Sequence, residues 1–163
     1  MHKVLMGIAG VVILGGGVFL MLQATKSNRV GLEGKILKVR TMSAGDGGTL
    51  VVADFRVQNT SRVPFVVEDV ELILENPSGA KAAGRTIAKT QMELVFRSKT
   101  LIGGKYNDVL AMQDRVAPGQ SMDRTAAARF EVQPGSIDAR KSFTLRLTEI
   151  DGAVSELFET GLR

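Results

Sequence analysis

The sequence predicts an all-β protein: an antiparallel sandwich of about seven strands, preceded by one N-terminal transmembrane helix. Three observations predict it. Short stretches alternate apolar and polar residues with the period of two of a half-buried strand, turn signals rich in Gly, Pro, Asn and Asp separate them, and an uncharged run opens the chain. We therefore divide the chain into an anchor (1–23), a short tether (24–31) and a β-sandwich domain (32–163).

The anchor is predicted from the run Val4–Leu22, which is nineteen residues without a charge. At about 1.5 Å per residue such a helix is roughly 28 Å long, close to the ~30 Å hydrocarbon core of a bilayer. A cleaved signal peptide is the alternative, but its apolar core is usually only about 7–15 residues long. The best cleavage site also places the bulky Leu22 where a small residue is preferred. We expect an uncleaved anchor.

Two glycines of the anchor are candidate helix-packing residues. Gly10 and Gly17 fall on one face two turns apart, which favours close packing against another transmembrane helix. The alternative is the ordinary abundance of Gly in such helices, since no pair of glycines here has GxxxG spacing.

The expected location is the cell (inner) membrane, with a single pass and the C-terminal domain on the periplasmic side. A short tail with Lys3 ahead of the apolar run has the layout of a secretory signal. The lysines and arginines that follow the run favour the opposite orientation if they are simply counted. Large domains translocate largely regardless of their charge, so we retain the outward orientation.

Charge is distributed unevenly along the chain. Residues 1–31 hold three Lys or Arg and no acid, whereas residues 32–163 hold 18 basic and 17 acidic residues and are nearly neutral. A nearly neutral domain lacks the field expected of a nucleic-acid binder. No nucleic-acid partner is expected, and nothing in the sequence supports a homo-oligomer.

The first predicted strand is Leu32–Thr41. Leu37 and Val39 are expected on the core side, with Lys38 and Arg40 on the opposite side. After a Gly- and Asp-rich turn, the alternation from residue 49 to residue 58 is the clearest in the chain. Its predicted core residues are Val51, Ala53, Phe55 and Val57.

A third strand is predicted at Val66–Glu75, followed by an Asn-Pro-Ser-Gly turn. The next stretch, Ala80–Lys105, fits either a strand or a short helix near Thr86–Val95, and the pattern does not choose between them. It is also the most basic region, which makes it a candidate patch for anionic lipid headgroups or an acidic partner. A solvated surface balanced by nearby acids is the alternative. The patch residues are Lys81, Arg85, Lys89, Arg97, Lys99 and Lys105.

Four further strands are predicted, at Tyr106–Met112, Arg124–Val132, Ser142–Ile150 and Val154–Thr160, with Asp151-Gly152 as a hairpin turn. Regularly spaced short strands with turn signals between them are typical of a sandwich. The residues predicted to face the core on the third, fifth and sixth strands are Val70, Leu72, Leu74, Ala126, Ala128, Phe130, Val132, Phe143, Leu145 and Leu147.

Four motifs occur in a characteristic order: VQNTSRVPF (57–65), ENPSG (75–79), VAPGQS (116–121) and ARFEV (128–132). In this order the chain resembles a bacterial immunoglobulin-like envelope domain family of unknown function, and it is similar in layout to late-embryogenesis-abundant type 2 domains. The resemblance covers about residues 32–160. It implies an immunoglobulin-like sandwich in the cell envelope that serves binding or assembly, without catalytic residues. Members of the family are often lipid-anchored through a Cys, which this chain lacks.

Several chemistries are excluded by composition. The chain has no Cys, and its one histidine is His2, so a Ser-His-Asp triad and a thiolate or histidine metal site within the domain are excluded. Gly103-Gly104-Lys105 departs from a phosphate-binding loop because Tyr106 occupies the place of the Ser or Thr. We predict no catalytic residue, no cofactor and no metal.

Acidic clusters leave one enzymatic alternative open, because paired carboxylates can serve glycoside hydrolysis. The chain has no Trp and one Tyr with which to bind a sugar, so exposed surface charge is the favoured interpretation. The clusters are Glu68, Asp69 and Glu71, and Asp108 and Asp114.

The expected function is therefore non-enzymatic: a single-span accessory protein whose sandwich docks on, or stabilises, a larger membrane protein assembly. The alternative is a free-standing envelope module that binds a small ligand, lipid or peptide. Sandwich folds serve both roles, so the fold class does not choose between them.

Overall fold

The computed structural model of the chain describes residues 30–98 and 102–159. It contains nine strands and two short helices, and three of the strands are no longer than three residues. They are β1 Leu32–Gly45, β2 Gly48–Asn59, β3 Phe65–Glu75, β4 Lys81–Ala83, β5 Arg85–Thr86, α1 Lys89–Ser98, β6 Arg115–Val116, β7 Ser121–Phe130, α2 Pro134–Asp138, β8 Ser142–Glu149 and β9 Val154–Phe158.

The strands form two antiparallel sheets, which confirms the predicted all-β antiparallel fold. Sheet 1 has the order β1-β2-β7-β5, and sheet 2 has the order β4-β3-β8-β9, with β6 paired to the start of β3. The chain crosses from sheet 2 to sheet 1 at Gly84, between β4 and β5. A side chain there would lie 2.7 Å from the Phe130 ring, so the close approach of the two sheets requires glycine at this position.

The core between the sheets contains the inward-facing residues that the alternation predicted on β2, β3, β7 and β8. Phe55, Phe143, Leu145 and Leu147 are fully buried, and Phe130 packs against Phe143 with ring centroids 5.7 Å apart. The helix α2 closes one end of this core with Ile137. Burial of alternate residues on both sheets is the main source of stability in a sandwich of this kind.

The first strand differs from its prediction at a β-bulge. Ile36 pairs with Phe55 and Lys38 pairs with Asp54, so Leu37 is an extra residue without a partner on β2. The bulge shifts the alternation by one residue, which places both Ile36 and Val39 on the core side. Leu37, predicted to face the core, is instead 44% exposed.

The segment 80–105 combines both of its predicted alternatives, since β4 and β5 precede the helix α1. The strand predicted at Tyr106–Met112 is wrong. That segment follows the outer face of sheet 1 as a loop with one isolated bridge between Val109 and Thr125. Val109 is buried against the outer face of sheet 1 and Leu110 against the core between the sheets, so the apolar residues of this segment are covered without pairing along a strand.

The predicted anchor lies outside the described residues, as do Gly10 and Gly17. Within residues 30–98 and 102–159, no helix is both long enough and apolar enough to cross a membrane. The described chain starts at Val30, and β1 starts at Leu32.

Candidate functional site

The main candidate site is an open groove of about 400 Å³ between β3, the start of α1 and the loop that precedes β6. Each of its three walls comes from a different segment, so the groove exists only in the folded chain. Its lining residues are Asp69, Val70, Thr86, Ile87, Ala88, Lys89, Leu110, Ala111 and Met112.

Two hydrogen bonds fix the segment between β5 and α1 against both sheets. The Thr86 hydroxyl donates to the Val70 carbonyl of sheet 2 (2.7 Å), and the Ile87 amide donates to the Ala127 carbonyl of sheet 1 (2.9 Å). Ala88 then accepts the first hydrogen bond of α1 from the Met92 amide. This wall of the groove is therefore held to both sheets by hydrogen bonds to backbone carbonyls.

The loop wall of the groove is held equally well. The Leu110 amide donates to the Thr125 carbonyl (2.9 Å), and the Ala111 amide donates to Asp114 Oδ2 (2.9 Å). The Gln113 amide donates to the Val67 carbonyl (2.7 Å). A loop with this many backbone hydrogen bonds presents its apolar side chains at defined positions.

The chemistry of the groove is that of an apolar binding surface with one charge of each sign at its rim. Val70, Ile87, Leu110 and Met112 supply aliphatic and thioether surface, and Met112 is 67% exposed. Asp69 and Lys89 are both exposed. Such a groove can bury an aliphatic group, and the two charges can orient a polar group at its mouth.

A second notable cluster is the buried ion pair of Arg40 and Asp54 on the outer face of sheet 1. Arg40 Nη2 lies 2.9 Å from Asp54 Oδ2, and the side chains are 9% and 6% exposed. These two atoms are close but are not aligned as a hydrogen bond, so their attraction is chiefly Coulombic. Asp54 Oδ1 also accepts a hydrogen bond from the Thr125 hydroxyl (2.6 Å).

The Arg40 guanidinium holds the loop that follows α1. Its Nη1 donates to the carbonyls of Ile102 (2.8 Å) and Gly104 (2.9 Å). The rings of Phe96 and Tyr106 lie 5.6 and 5.1 Å from the guanidinium carbon, within cation–π range. The Gly-Gly-Lys segment therefore wraps around a protein cation, and we assign the ion pair a structural role.

The predicted basic patch is distributed over several elements. Lys81 lies on β4, Arg85 on β5 opposite Arg129, Lys89 and Arg97 at the two ends of α1, and Lys105 in the following loop; Lys99 lies outside the described residues. Lys105 forms an ion pair with Asp108 (2.8 Å), which raises the pKa of Lys105 and lowers that of Asp108. Among the patch residues that the structure describes, Lys89 is the one that lines the groove.

Three of the five residues in the predicted acidic clusters have separate partners, whereas Glu68 and Asp69 are exposed. Asp108 pairs with Lys105, the Asp114 carboxylate accepts the Ala111 amide, and Glu71 lies 3.5 Å from Arg146. Within the described part of the chain, no group of three or more His, Cys, Asp and Glu side chains is arranged to hold a metal ion.

The groove and the buried ion pair were both missed by sequence reasoning. The run Leu50–Ala53 contained a usable signal, because an uninterrupted apolar run is typical of a strand that is buried on both faces. That signal implies a cover over the outer face of sheet 1. No local pattern indicates which segment provides the cover, because β3 and the loop at residues 110–112 are about 40 residues apart in sequence.

No protein-family model matches the chain, and no curated protein matches it. Among solved structures, the chain is similar to one titled "X-ray structure of Northeast Structural Genomics Consortium target SoR45". The similarity covers 83% of each chain, at 12% sequence identity and a TM-score of 0.33. The fold described above rests on the strand pairings of this chain.

Proposed function

We propose that this chain is a non-enzymatic, single-pass membrane protein whose extracytoplasmic sandwich docks on a larger membrane protein assembly through the groove. The observation that carries the proposal is the groove itself: an aliphatic surface held by backbone hydrogen bonds, with Asp69 and Lys89 at its rim. Burial of one aliphatic side chain of a partner would contribute about 1.5–3 kcal/mol. The two rim charges would fix its orientation through complementary charges on the partner.

The location in this proposal comes from the sequence. The uncharged run Val4–Leu22 supports a single span in the cell (inner) membrane, with the sandwich on the periplasmic side. We also propose that the sandwich is immunoglobulin-like. The two antiparallel sheets support this classification, together with the resemblance of motifs such as VQNTSRVPF to bacterial envelope domains.

The test uses a photoreactive residue at position 88 in the full chain, expressed in its native membrane. We expect crosslinks from Ala88→benzoylphenylalanine to another membrane-complex subunit, and loss of the complex from a native gel in an Ala88→Trp variant that fills the groove. The matched control is Ala80, an exposed alanine in a separate groove of about 380 Å³ under β4. Purification of the wild-type chain alone and monomeric from mild detergent would contradict the proposal.

A second candidate function is supported by the size of the groove. Small-molecule sites usually have volumes of about 300–1,000 Å³, and the groove of about 400 Å³ falls within this range. A free-standing module would take a small apolar ligand or one lipid chain there. In that case a panel of fatty acids and lipids should raise the Tm of the purified wild-type protein but not of Ala88→Trp. A flat response across the panel would eliminate this candidate.

A further inference from the structure

One end of the sandwich, which we call the N-terminal pole, collects the first residues of β1, β3, β7 and β9 and the last residues of β2 and β8. The chain enters the sandwich at this pole, where the Leu32 amide donates to the Ser155 hydroxyl (2.8 Å). Its loops are residues 60–64, 111–114, 117–120 and 150–153. The opposite pole carries the β1–β2 turn, the loop after β3 and the segment that contains α2.

Exposed aliphatic side chains occur on several loops of the N-terminal pole. Val63 is 44% exposed, Met112 67% and Ile150 60%, each in a different loop, and Val154 at the start of β9 is 54% exposed. At the opposite pole, the loops 46–47, 76–80 and 131–141 are all described and none has an exposed large hydrophobic residue, although Phe158 at the end of β9 is 57% exposed. Single exposed apolar residues are normal on a protein surface, but their concentration at one pole needs a cause.

The three loop tips are held in place by the strands. The Ile150 amide donates to the Val66 carbonyl (3.1 Å), and the amide next to Met112 donates to the Val67 carbonyl (2.7 Å), so consecutive carbonyls of β3 fix two of the tips. The Asn59 side chain fixes the third by donating to the Val63 carbonyl (2.8 Å). The apolar tips are therefore presented without the entropic penalty of ordering a loose loop.

The pole carries charges of both signs. Arg62, Arg115 and Asp151 are all exposed. Asp114 is half-buried, and Glu149 is 3% exposed with its carboxylate accepting the Asp151 amide (2.7 Å). A surface without an excess of basic residues has no charge preference for anionic lipid, so its apolar tips suit a neutral bilayer interface.

The short segment between Leu22 and Val30 limits how far the pole can lie from the predicted membrane span. Seven residues separate Leu22 from Val30, and an extended chain covers no more than about 3.6 Å per residue, so the gap is at most roughly 29 Å. If Val4–Leu22 spans the bilayer, the pole stays close to the membrane at a millimolar-range effective concentration. Even weak insertion then suffices to keep the sandwich docked.

We propose that the N-terminal pole is a membrane-docking surface, where Val63, Met112 and Ile150 insert into the interfacial region of a neutral bilayer. The inference rests on the membrane anchoring in the proposed function. Met112 belongs both to this pole and to the lining of the groove, so docking places that edge of the groove at the bilayer surface and leaves Lys89 and Asp69 for a partner subunit.

The test exploits the absence of native cysteines. The full chain, with a single Cys introduced in place of Val63, Met112 or Ile150 and labelled with an environment-sensitive fluorophore, is reconstituted into phosphatidylcholine vesicles. We expect a blue shift and strong quenching by a lipid-borne quencher at all three tips. The control label replaces Ser78 in the exposed turn after β3 at the opposite pole, where neither effect is expected.

A triple variant gives an independent measurement. Val63→Ser, Met112→Ser and Ile150→Ser change only exposed side chains, so the fold should be retained. A fluorophore that replaces Gln120, in a different loop of the pole, should be quenched by lipid when the three apolar residues are present. In the triple variant its quenching should fall to the level of the Ser78 label.

The outcomes separate the two proposals. Failure of the intact chain to enter vesicles would overturn the anchoring itself. Stable incorporation with water-exposed tips would overturn the docking surface alone. Tips that are shielded from water but not quenched by lipid would assign the pole to a protein contact, either a second copy or residues 4–22, and would also overturn it.

Discussion

The outer faces of the two sheets carry the same kind of ion pair in opposite surroundings. On sheet 1, Arg40 and Asp54 lie under α1 and the loop after it, and are 9% and 6% exposed. On sheet 2, Arg146 lies between Glu71 and Glu156, with all three side chains more than a third exposed. Water and salt screen the exposed charges of Arg146 and its two glutamates, whereas each buried charge depends on its partner for compensation. Burial therefore decides which of these pairs is costly to break.

The largest expected effect comes from breaking the buried pair. Asp54→Asn keeps the shape of the side chain but leaves the Arg40 guanidinium buried without a counter-charge. We expect the free energy of unfolding to fall by about 3–5 kcal/mol, as measured by urea denaturation. The matched change on sheet 2 is Glu156→Gln, for which we expect no measurable change. Equal effects at the two sites would contradict the comparison.

Replacing both buried partners sharpens this result. Arg40→Met combined with Asp54→Leu removes both charges together, and buried pairs replaced by apolar residues of similar size are often neutral in stability. We expect the double variant to recover most of the stability that Asp54→Asn loses. It should also loosen the loop at Ile102 and Gly104, because their carbonyls lose the Arg40 donor. Faster amide hydrogen exchange in that loop would report the loosening.

The next largest effect should come from the apolar contact between α1 and the outer face of sheet 1. Met92 is fully buried between α1 and sheet 1, in a cluster with Leu50 and Val52. Met92→Ala should cost about 2–4 kcal/mol, because it leaves a cavity under the helix. The control is Gln91→Ala on the exposed side of the same helix, which should change stability little. If hydrogen exchange in α1 is unaltered in Met92→Ala, the helix is held by other contacts.

The smallest expected effect is a pH dependence from sheet 2. A hydrogen bond from Lys141 lowers the pKa of Glu75 below its ordinary value of 4.5. A carboxyl whose pKa is lower in the folded state stabilises the fold above its unfolded pKa, and this contribution is lost as the pH falls through the folded value. Below ~pH 5 the Tm of wild type should therefore decline slightly more steeply than that of Lys141→Met. Parallel declines would show that this exposed pair contributes nothing.

The inner faces of the sheets were predictable because the period of two is a local property. Phe55, Phe143 and Leu145 each alternate with polar neighbours, and each lies in the core. The same rule placed Leu37 incorrectly, because one extra residue in β1 shifts the alternation and the sequence carries no mark of the bulge.

The candidate sites were not predictable from local patterns. The groove joins β3 to Lys89 and Met112, and the buried pair joins β1 to β2 under a loop 60 residues away. Each single segment has an unremarkable composition, and Arg40 alone has the pattern of an exposed strand residue. Only the position of α1 over sheet 1 converts an apparently solvated cation into a buried one.

The sequence by itself determined an all-β antiparallel fold, the inward set of side chains and the chemistries that a chain without cysteine excludes. Those properties follow from residue identity and short-range periodicity, which act on neighbours along the chain. Only the tertiary structure decided which face of a sheet is covered, which charges are desolvated and where an apolar groove opens. These depend on contacts between segments far apart in sequence, because burial is a property of the packed surfaces and not of any one strand.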